Sequence, residues 1–265
     1  MALDLSNIQA VVSDMDGVLW RGTETMPHAI EFFTYLAERG IPFVLATNNS
    51  GRHPEYYAKR LLDLGFPKVE PWQIVTSGTA TASYLHTQYE QGTRLYVTGN
   101  EGLKQVLTEA GFVVADHDVQ AVVSGIDFNF TYDIAVAATT LIRGGAAFIG
   151  TNGDLTFPTA TGLAPGAGSI LAMIEAATDV KPTVIGKPEV AMFEAALRAM
   201  NATPQATLML GDRLNTDISG AHAAGLKSAF VLTGVHTTQH METLGITPDA
   251  IFNDLGELLA AWQNA

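Results

Sequence analysis

The sequence predicts an α/β protein: a doubly wound parallel sheet with a second α/β domain inserted into it. Three observations carry this reading. Short apolar runs that read as buried strands alternate with stretches of helical period along nearly all of the 265 residues. Glycines close many of the helical stretches, at Gly40, Gly65, Gly111 and Gly144. Four polar clusters follow apolar runs, as expected where strands of an open parallel sheet deliver residues to one edge.

The elements follow in order. Ile8 to Val12 is a buried strand that runs into Ser13-Asp14-Met15-Asp16-Gly17. Pro27 to Arg39 is a helix: Pro27 suits the first turn, Ile30, Phe33 and Leu36 or Ala37 recur at helical spacing, and Gly40 stops it. Ile41 to Ala46 is the second strand, Pro54 to Leu64 the next helix and Gln73 to Ser77 a third strand. This βαβαβ order calls for right-handed crossovers and a parallel sheet. A second βαβαβ series follows in Arg94–Thr98, Leu103–Ala110, Val119–Ser124, Tyr132–Arg143 and Ala147–Thr151. The Gly-, Pro- and Thr-rich stretch from Thr151 to Ser169 reads as a long ordered loop before a helix from Ser169 to Ala177. The third series has a strand at Thr183–Ile185, Gly186-Lys187-Pro188, a helix at Glu189–Met200 and a strand at Thr207–Leu210. The loop Gly211–Asp217, a small-residue helix to Ala224, a strand at Ser228–Leu232 and a helix at Asp254–Trp262 complete it. The expected partition is a core from residues 1–79 and 181–265, with residues 80–180 as the second domain and hinges near Gly78 and Lys181-Pro182.

Composition narrows the function. A formal charge of −13 and the lack of any Lys/Arg run disfavour nucleic acid and anionic membrane surfaces. With no cysteine, thiol catalysis, disulfides and cysteine zinc sites are excluded. Residues 1–9 carry no basic region of a secretory signal, and no apolar run approaches a membrane span, so a cytoplasmic protein is expected.

The chemistry starts with Asp14 and Asp16. Their i, i+2 spacing on extended chain puts both carboxylates on one side, and Gly17 permits the bend after them. Acids placed so closely repel unless a proton or cation sits between them, and Mg²⁺ takes one or two carboxylates together with phosphate. Thr47 and Asn48, Lys187, and Asp212 with Asp217 tip the other runs. Together they offer a carboxylate nucleophile, a second acid, hydroxyl and amide donors, an ammonium and a further acidic pair, a set suited to phosphoryl transfer. Asp116 and Asp118 also follow an apolar run but lack the glycine, and read as a solvated loop.

In these motifs the chain resembles the haloacid dehalogenase-like (HAD) superfamily, subfamily IIA, the NagD and 4-nitrophenylphosphatase branch. D-x-D-G-V/T-L falls on Asp14 to Leu19, the hydroxyl motif on Thr47-Asn48-Asn49, G-K-P on Gly186-Lys187-Pro188 and G-D-x-x-x-T-D on Gly211 to Asp217; the cap motif T-N-x-D is Thr151 to Asp154. The resemblance implies a HAD-like Rossmannoid core with a C2-type cap, and Asp16 points to a phosphatase, since the superfamily's dehalogenases lack that second aspartate. It implies that Asp14 attacks phosphorus and forms an aspartyl-phosphate while Asp16 serves as acid and base. Mg²⁺ would be held by Asp14, the backbone carbonyl of Asp16 and Asp212, with Asp217 and Asn215 behind them. Thr47, Asn48 and Lys187 would bind the phosphoryl oxygens, and Asn152 and Asp154 would contact the leaving group. The expected substrate is a small phosphorylated metabolite such as a nucleotide monophosphate, sugar phosphate or 4-nitrophenyl phosphate. No nucleic acid polymer or membrane partner is expected, and assembly into a homo-oligomer through the cap is left open.

A second reading is a receiver-type phospho-acceptor domain, which gathers acids, Thr and Lys around Mg²⁺ but keeps the phosphate as a signal. The insert of roughly 100 residues argues against it, and so does Asp16. Asn152 and Asp154 can also be read as an ordinary turn. His236 and His240, spaced i, i+4, read as a surface pair because no third ligand is evident. Trp20 reads as packing.

Overall fold

A computed structural model describes residues 3–159 and 161–265. The chain runs through β1 (Ala10–Asp14), the hairpin β2 (Trp20–Arg21) and β3 (Glu24–Thr25), α1 (Ala29–Glu38), β4 (Phe43–Thr47), α2 (Pro54–Asp63) and β5 (Ile74–Thr76). Next come α3 (Ser77–Gln88), β6 (Arg94–Thr98), α4 (Glu101–Glu109), β7 (Val113–Val114), β8 (Ala121–Ser124), α5 (Tyr132–Arg143) and β9 (Ala147–Gly150). The hairpin β10 (Thr156–Thr159) and β11 (Gly162–Pro165), α6 (Ala167–Thr178) and β12 (Thr183–Val184) follow. The last part holds α7 (Val190–Met200), β13 (Thr207–Gly211), a π-helical turn at Leu214–Ile218, α8 (Ser219–Ala223), β14 (Lys227–Val231), α9 (Thr238–Leu244), β15 (Ala250–Phe252) and α10 (Leu255–Gln263).

The chain divides into two units. The first comprises the residues up to Thr47, Pro54–Val75 and Lys187–Ala265; the second comprises Asn48–His53 and Thr76–Gly186. Compared with the expected partition, the second unit also takes in residues 48–53 and extends to Gly186.

The first unit is built on a six-stranded sheet in the order β15-β14-β13-β1-β4-β5. β1 lies between β13 and β4, parallel to both, with Val12 opposite Met209 and Val44. All five residues of β1 are buried, as are those of β4 and β13, which is why these strands read as continuous apolar runs. On α1 the buried stripe is Ala29, Phe32, Phe33 and Leu36. Ala37 is exposed and Ile30 only half-buried, so the inward face is rotated from the expected one. Phe32 and Phe33 meet edge to face, and Phe32 tilts against Trp262 of α10, which closes this side of the core.

The second unit has its own five-stranded sheet, β12-β9-β8-β6-β7, with parallel pairings throughout. Val122, Phe148, Ala138, Ile142, Leu171 and Ile174 form one of its packed clusters. Two expectations are corrected here. The stretch from Thr151 to Ser169 is not a plain loop: it contains the antiparallel β10–β11 hairpin. The strand expected at Thr183–Ile185 does not belong to the core sheet. β12 pairs with β9, and the ladder continues as Ile185 N–H donates to Gly150 O and Gly186 N–H to Thr151 O. No helix among the described residues is long and apolar enough to cross a membrane.

Candidate active site

In the first unit β1, β4 and β13 end side by side. The register sets Asp14 opposite Ala46, one residue before Thr47, and Gly211 follows Leu210, the partner of Ser13. Asp14 is 8% exposed and Thr47 4%. Lys187 reaches the same place by another route. Its strand belongs to the other sheet, yet the side chain, 4% exposed, puts Nζ 2.5 Å from Asp14 Oδ1 and 2.8 Å from Asp217 Oδ1. Nζ also donates to Ala46 O at 3.2 Å. One ammonium is thus shared between two buried carboxylates and a strand-end carbonyl.

The loop after β13 is shaped to bury its acids. Asp217 Oδ2 accepts from Arg213 N–H at 3.0 Å, and Asp217 N–H donates to Arg213 O, so the π-turn folds back on its own start. Asp212 Oδ2 accepts from Val235 N–H at 2.6 Å. Two glycines allow this approach. Gly17 holds φ +89°, and a Cβ there would lie 2.5 Å from Asp212 Oδ2; at Gly234 the added Cβ would lie 1.8 Å from the same atom. Thr233 Oγ1 donates to Gly17 O at 2.6 Å, tying the turn after β1 to the loop after β14.

The charges do not balance. Asp14, Asp212 and Asp217 offer ligand oxygens within 4.8 Å of one another, against the ammonium of Lys187, with the Arg213 guanidinium also acting on Asp212. Burial, reinforced by Asp217, pushes the Asp212 carboxyl up to about 6. Burial also pushes Asp14 upward, opposed by Lys187. For Lys187 burial works against the charge, but Asp14 and Asp217 outweigh it and hold the amine protonated. The excess of negative charge is what a divalent cation would neutralise. Asp212 Oδ1 supports that fit: it is buried with no hydrogen-bond partner. The donors are all carboxylate oxygens, the hard set that suits Mg²⁺.

The other expected residues separate into groups. Asp16 is exposed and its Oδ1 accepts from Trp20 Nε1–H at 2.9 Å. Asn215 is exposed on the π-turn, whereas its neighbours Thr216 and Asp217 are buried. Asn48 falls in the second unit with Asn152 and Asp154. There Asp154 Oδ2 accepts from Asn48 Nδ2 at 2.9 Å and from Asn152 Nδ2 at 2.8 Å, while Thr151 Oγ1 donates to Asn152 Oδ1. Asn152 is buried, its hydrogen bonds run to its neighbours Thr151 and Asp154, and the bond to the distant Asn48 is made by Asp154.

Two features were not legible in the sequence. Trp20, read as packing, donates to Asp16 as well as filling the core. The loop Thr233–His236 supports Asp212 although it carries no acid: its signal was a glycine three residues after the end of β14, Gly234. His236, expected at the surface, is half-buried. Its Nδ1 accepts from Leu214 N–H at 3.0 Å, its backbone N–H donates to Asp212 O, and its ring stacks on His240. Burial, with His240 beside it, pushes the imidazole below its usual range.

Residues 11–113 match the family model described as haloacid dehalogenase-like hydrolase, and residues 184–258 match one described as HAD-hydrolase-like. A 5'-nucleotidase, YutF, of Bacillus subtilis is 39% identical over 86% of this chain and 88% of its own length. An acid sugar phosphatase of Staphylococcus aureus is 36% identical over 97% of this chain and 98% of its own. Among solved structures, a 4-nitrophenylphosphatase from Thermotoga maritima superposes with a TM-score of 0.92 at 34% identity, covering 98% of this chain and 99% of that one.

Proposed function

The chain belongs to the haloacid dehalogenase-like hydrolases and is a hydrolase of phosphomonoesters, and from that premise we propose a Mg²⁺-dependent phosphatase for small phosphomonoesters that works through an aspartyl-phosphate on Asp14. The observation that carries the reading is the buried group in which Lys187 bridges Asp14 and Asp217 while Asp212 keeps one oxygen without a partner.

Asp14, Asp212 and the backbone carbonyl of Asp16 would hold Mg²⁺, which when bound offsets charge on the transferring phosphoryl group. Asp14 attacks phosphorus. The bond to the ester oxygen breaks, and the departing oxygen takes a proton from Asp16. Water then attacks phosphorus, Asp16 takes its proton, and the bond to Asp14 breaks to release phosphate. Lys187 and the Thr47 hydroxyl bind the phosphoryl oxygens, and Asp217 holds the ammonium of Lys187 in place.

The 5'-nucleotidase and acid sugar phosphatase relatives support small nucleotide and sugar monophosphates as the substrate class. Asn152 and Asp154 are assigned to leaving-group selection; their shared hydrogen bonds give the loop a fixed shape. A panel of nucleotide, sugar and aryl monophosphates assayed with and without Mg²⁺ tests the reading, alongside Asn152→Ala. Turnover restricted to Mg²⁺, with the variant changing the order of preference, is the expected outcome. Full turnover after chelation would refute the metal assignment, and an unchanged order of preference would refute the role of Asn152.

A further inference from the structure

We infer that Trp20 is a positioning residue for Asp16: its indole N–H fixes the carboxylate in the orientation from which Asp16 protonates the leaving group. This rests on the reading of Asp16 as acid and base.

Asp16 is an exposed side chain. Left to solvent, a carboxylate there would exchange among rotamers, and each turnover would have to recover the productive one. Trp20 removes that freedom, because its Nε1 lies 2.9 Å from Asp16 Oδ1. The indole is itself held from several sides. Trp20 is 1% exposed, its backbone pairs with Thr25 across the β2–β3 hairpin, and its carbonyl accepts from Gly17 N–H at 2.8 Å. The guanidinium of Arg60, from α2, lies 4.0 Å over the ring centroid and also donates to Gly22 O. The ring cannot swing without breaking the hairpin, the stack, or the turn that Gly17 closes.

The chemistry of the donor fits the task. An indole has one N–H and no acceptor, so it engages one oxygen of Asp16 and leaves the other for the substrate. It is neutral, and therefore directs the carboxylate without the ionic competition a lysine or arginine would bring. A buried indole N–H requires a hydrogen-bond partner, and the partner the fold provides is the side chain read as acid and base, so the same bond that satisfies Trp20 restrains Asp16. Arg21, next in sequence, donates to Thr233 O at 2.6 Å, which fastens the hairpin to the loop beside Asp212.

The test uses two aryl esters that differ in their need for a proton. Phenolate is a poorer leaving group than 4-nitrophenolate and depends more on protonation. kcat/KM is measured on phenyl phosphate and 4-nitrophenyl phosphate for the unaltered protein, Trp20→Phe, Asp16→Asn and the double variant. Trp20→Phe keeps an aromatic ring and drops the N–H. It should lower the ratio of phenyl to 4-nitrophenyl turnover by about fivefold or more, and add less than about twofold to the Asp16→Asn loss. Trp20→3-benzothienylalanine, which replaces only the N–H by sulfur, should give the same ratio change and covers the case in which Trp20→Phe does not fold. An equal loss on both esters, or a full extra loss in the Asp16→Asn background, would overturn the positioning role and leave Asp16 as the acid. If Asp16→Asn itself lost equally on both esters, the acid/base reading would fall and this inference with it.

Discussion

The molecule contains two parallel sheets whose carboxyl edges carry different chemistry. In the first unit that edge is ionic: Asp14, Lys187, Asp212 and Asp217 are all buried and in contact or nearly so. In the second unit the buried polar residues at and just after the strand ends are neutral, Thr98, Ser124, Thr151 and Asn152, each 6% exposed or less, and the Asp154 carboxylate beside them is only half-buried. Among the described residues, the group able to hold a metal ion lies at the first edge. Parallel topology therefore supplies an edge to which residues are delivered, but not a reaction. Buried charge is costly unless paired, so its concentration at one edge and not the other marks where function outweighed stability.

The comparison is broken most severely by removing charge from the first edge. Asp14→Asn should keep the fold and lower kcat by about 10³-fold or more, read as phosphatase rate beside an unchanged melting transition. Near-normal turnover would mean that the edge is not catalytic.

Lys187→Met tests whether the acids need their counter-ion for stability. With its ammonium gone, Asp14 and Asp217 are left unpaired, and the metal-free protein should lose about 3 kcal/mol or more by denaturant titration. Mg²⁺ should restore part of that loss. An unchanged midpoint would show that the acids are protonated without the lysine.

The third effect is on pH. The Asp212 carboxyl is pushed up to about 6 by burial first and by Asp217 second. A raised carboxyl binds its proton more tightly in the folded state. Its contribution to metal-free stability is thus full below the ordinary carboxylate range and is lost as pH rises through about 6. Mg²⁺ needs the ionised form, so its affinity should fall below pH of about 6, by up to about tenfold per unit for one linked proton. Mg²⁺ titrations across that range check this, and Asp212→Asn should weaken the dependence while leaving the part due to Asp14, whose carboxyl burial also pushes upward. A flat affinity from pH 5 to 7 (about one unit on either side of 6) would contradict it.

The smallest effect belongs to the second edge. Ser124 Oγ is buried without a hydrogen-bond partner, so Ser124→Ala removes a polar atom that gains nothing from its surroundings. Stability should change by less than about 1 kcal/mol, with no loss of Mg²⁺ affinity. A large loss would show that this edge holds a polar network of its own.

Much of the first edge was legible in the sequence because buried parallel strands leave unbroken apolar runs, and the acids that end them are conspicuous. Asp14, Asp212 and Asp217 could be picked out on that ground; Lys187 follows the short β12 of the other sheet and stood out through Gly186-Lys187-Pro188. Partnership between strands was not legible. β12 is two residues long and next to Gly186-Lys187, and nothing in Thr183-Val184 says that it pairs with β9 instead of a core strand. The β10–β11 hairpin was missed because its residues are mostly exposed and each strand contains a proline, so no alternation marks it. β15, with only three residues and none fully buried, gave no apolar run either. The role of Trp20 was hidden for a different reason: a buried aromatic residue looks the same in sequence whether or not its N–H has a task.

A nucleophilic Asp14 forms a covalent bond to phosphorus during turnover. The direct measurement is to quench the enzyme with acid during turnover, reduce with borohydride and map the peptides. An acyl phosphate is reduced to the alcohol, whereas a free carboxylate is not. Reduction at position 14 that depends on substrate and disappears in Asp14→Asn is the expected result. Sustained turnover with no reduced residue at position 14, or with the label on another acid, would contradict it.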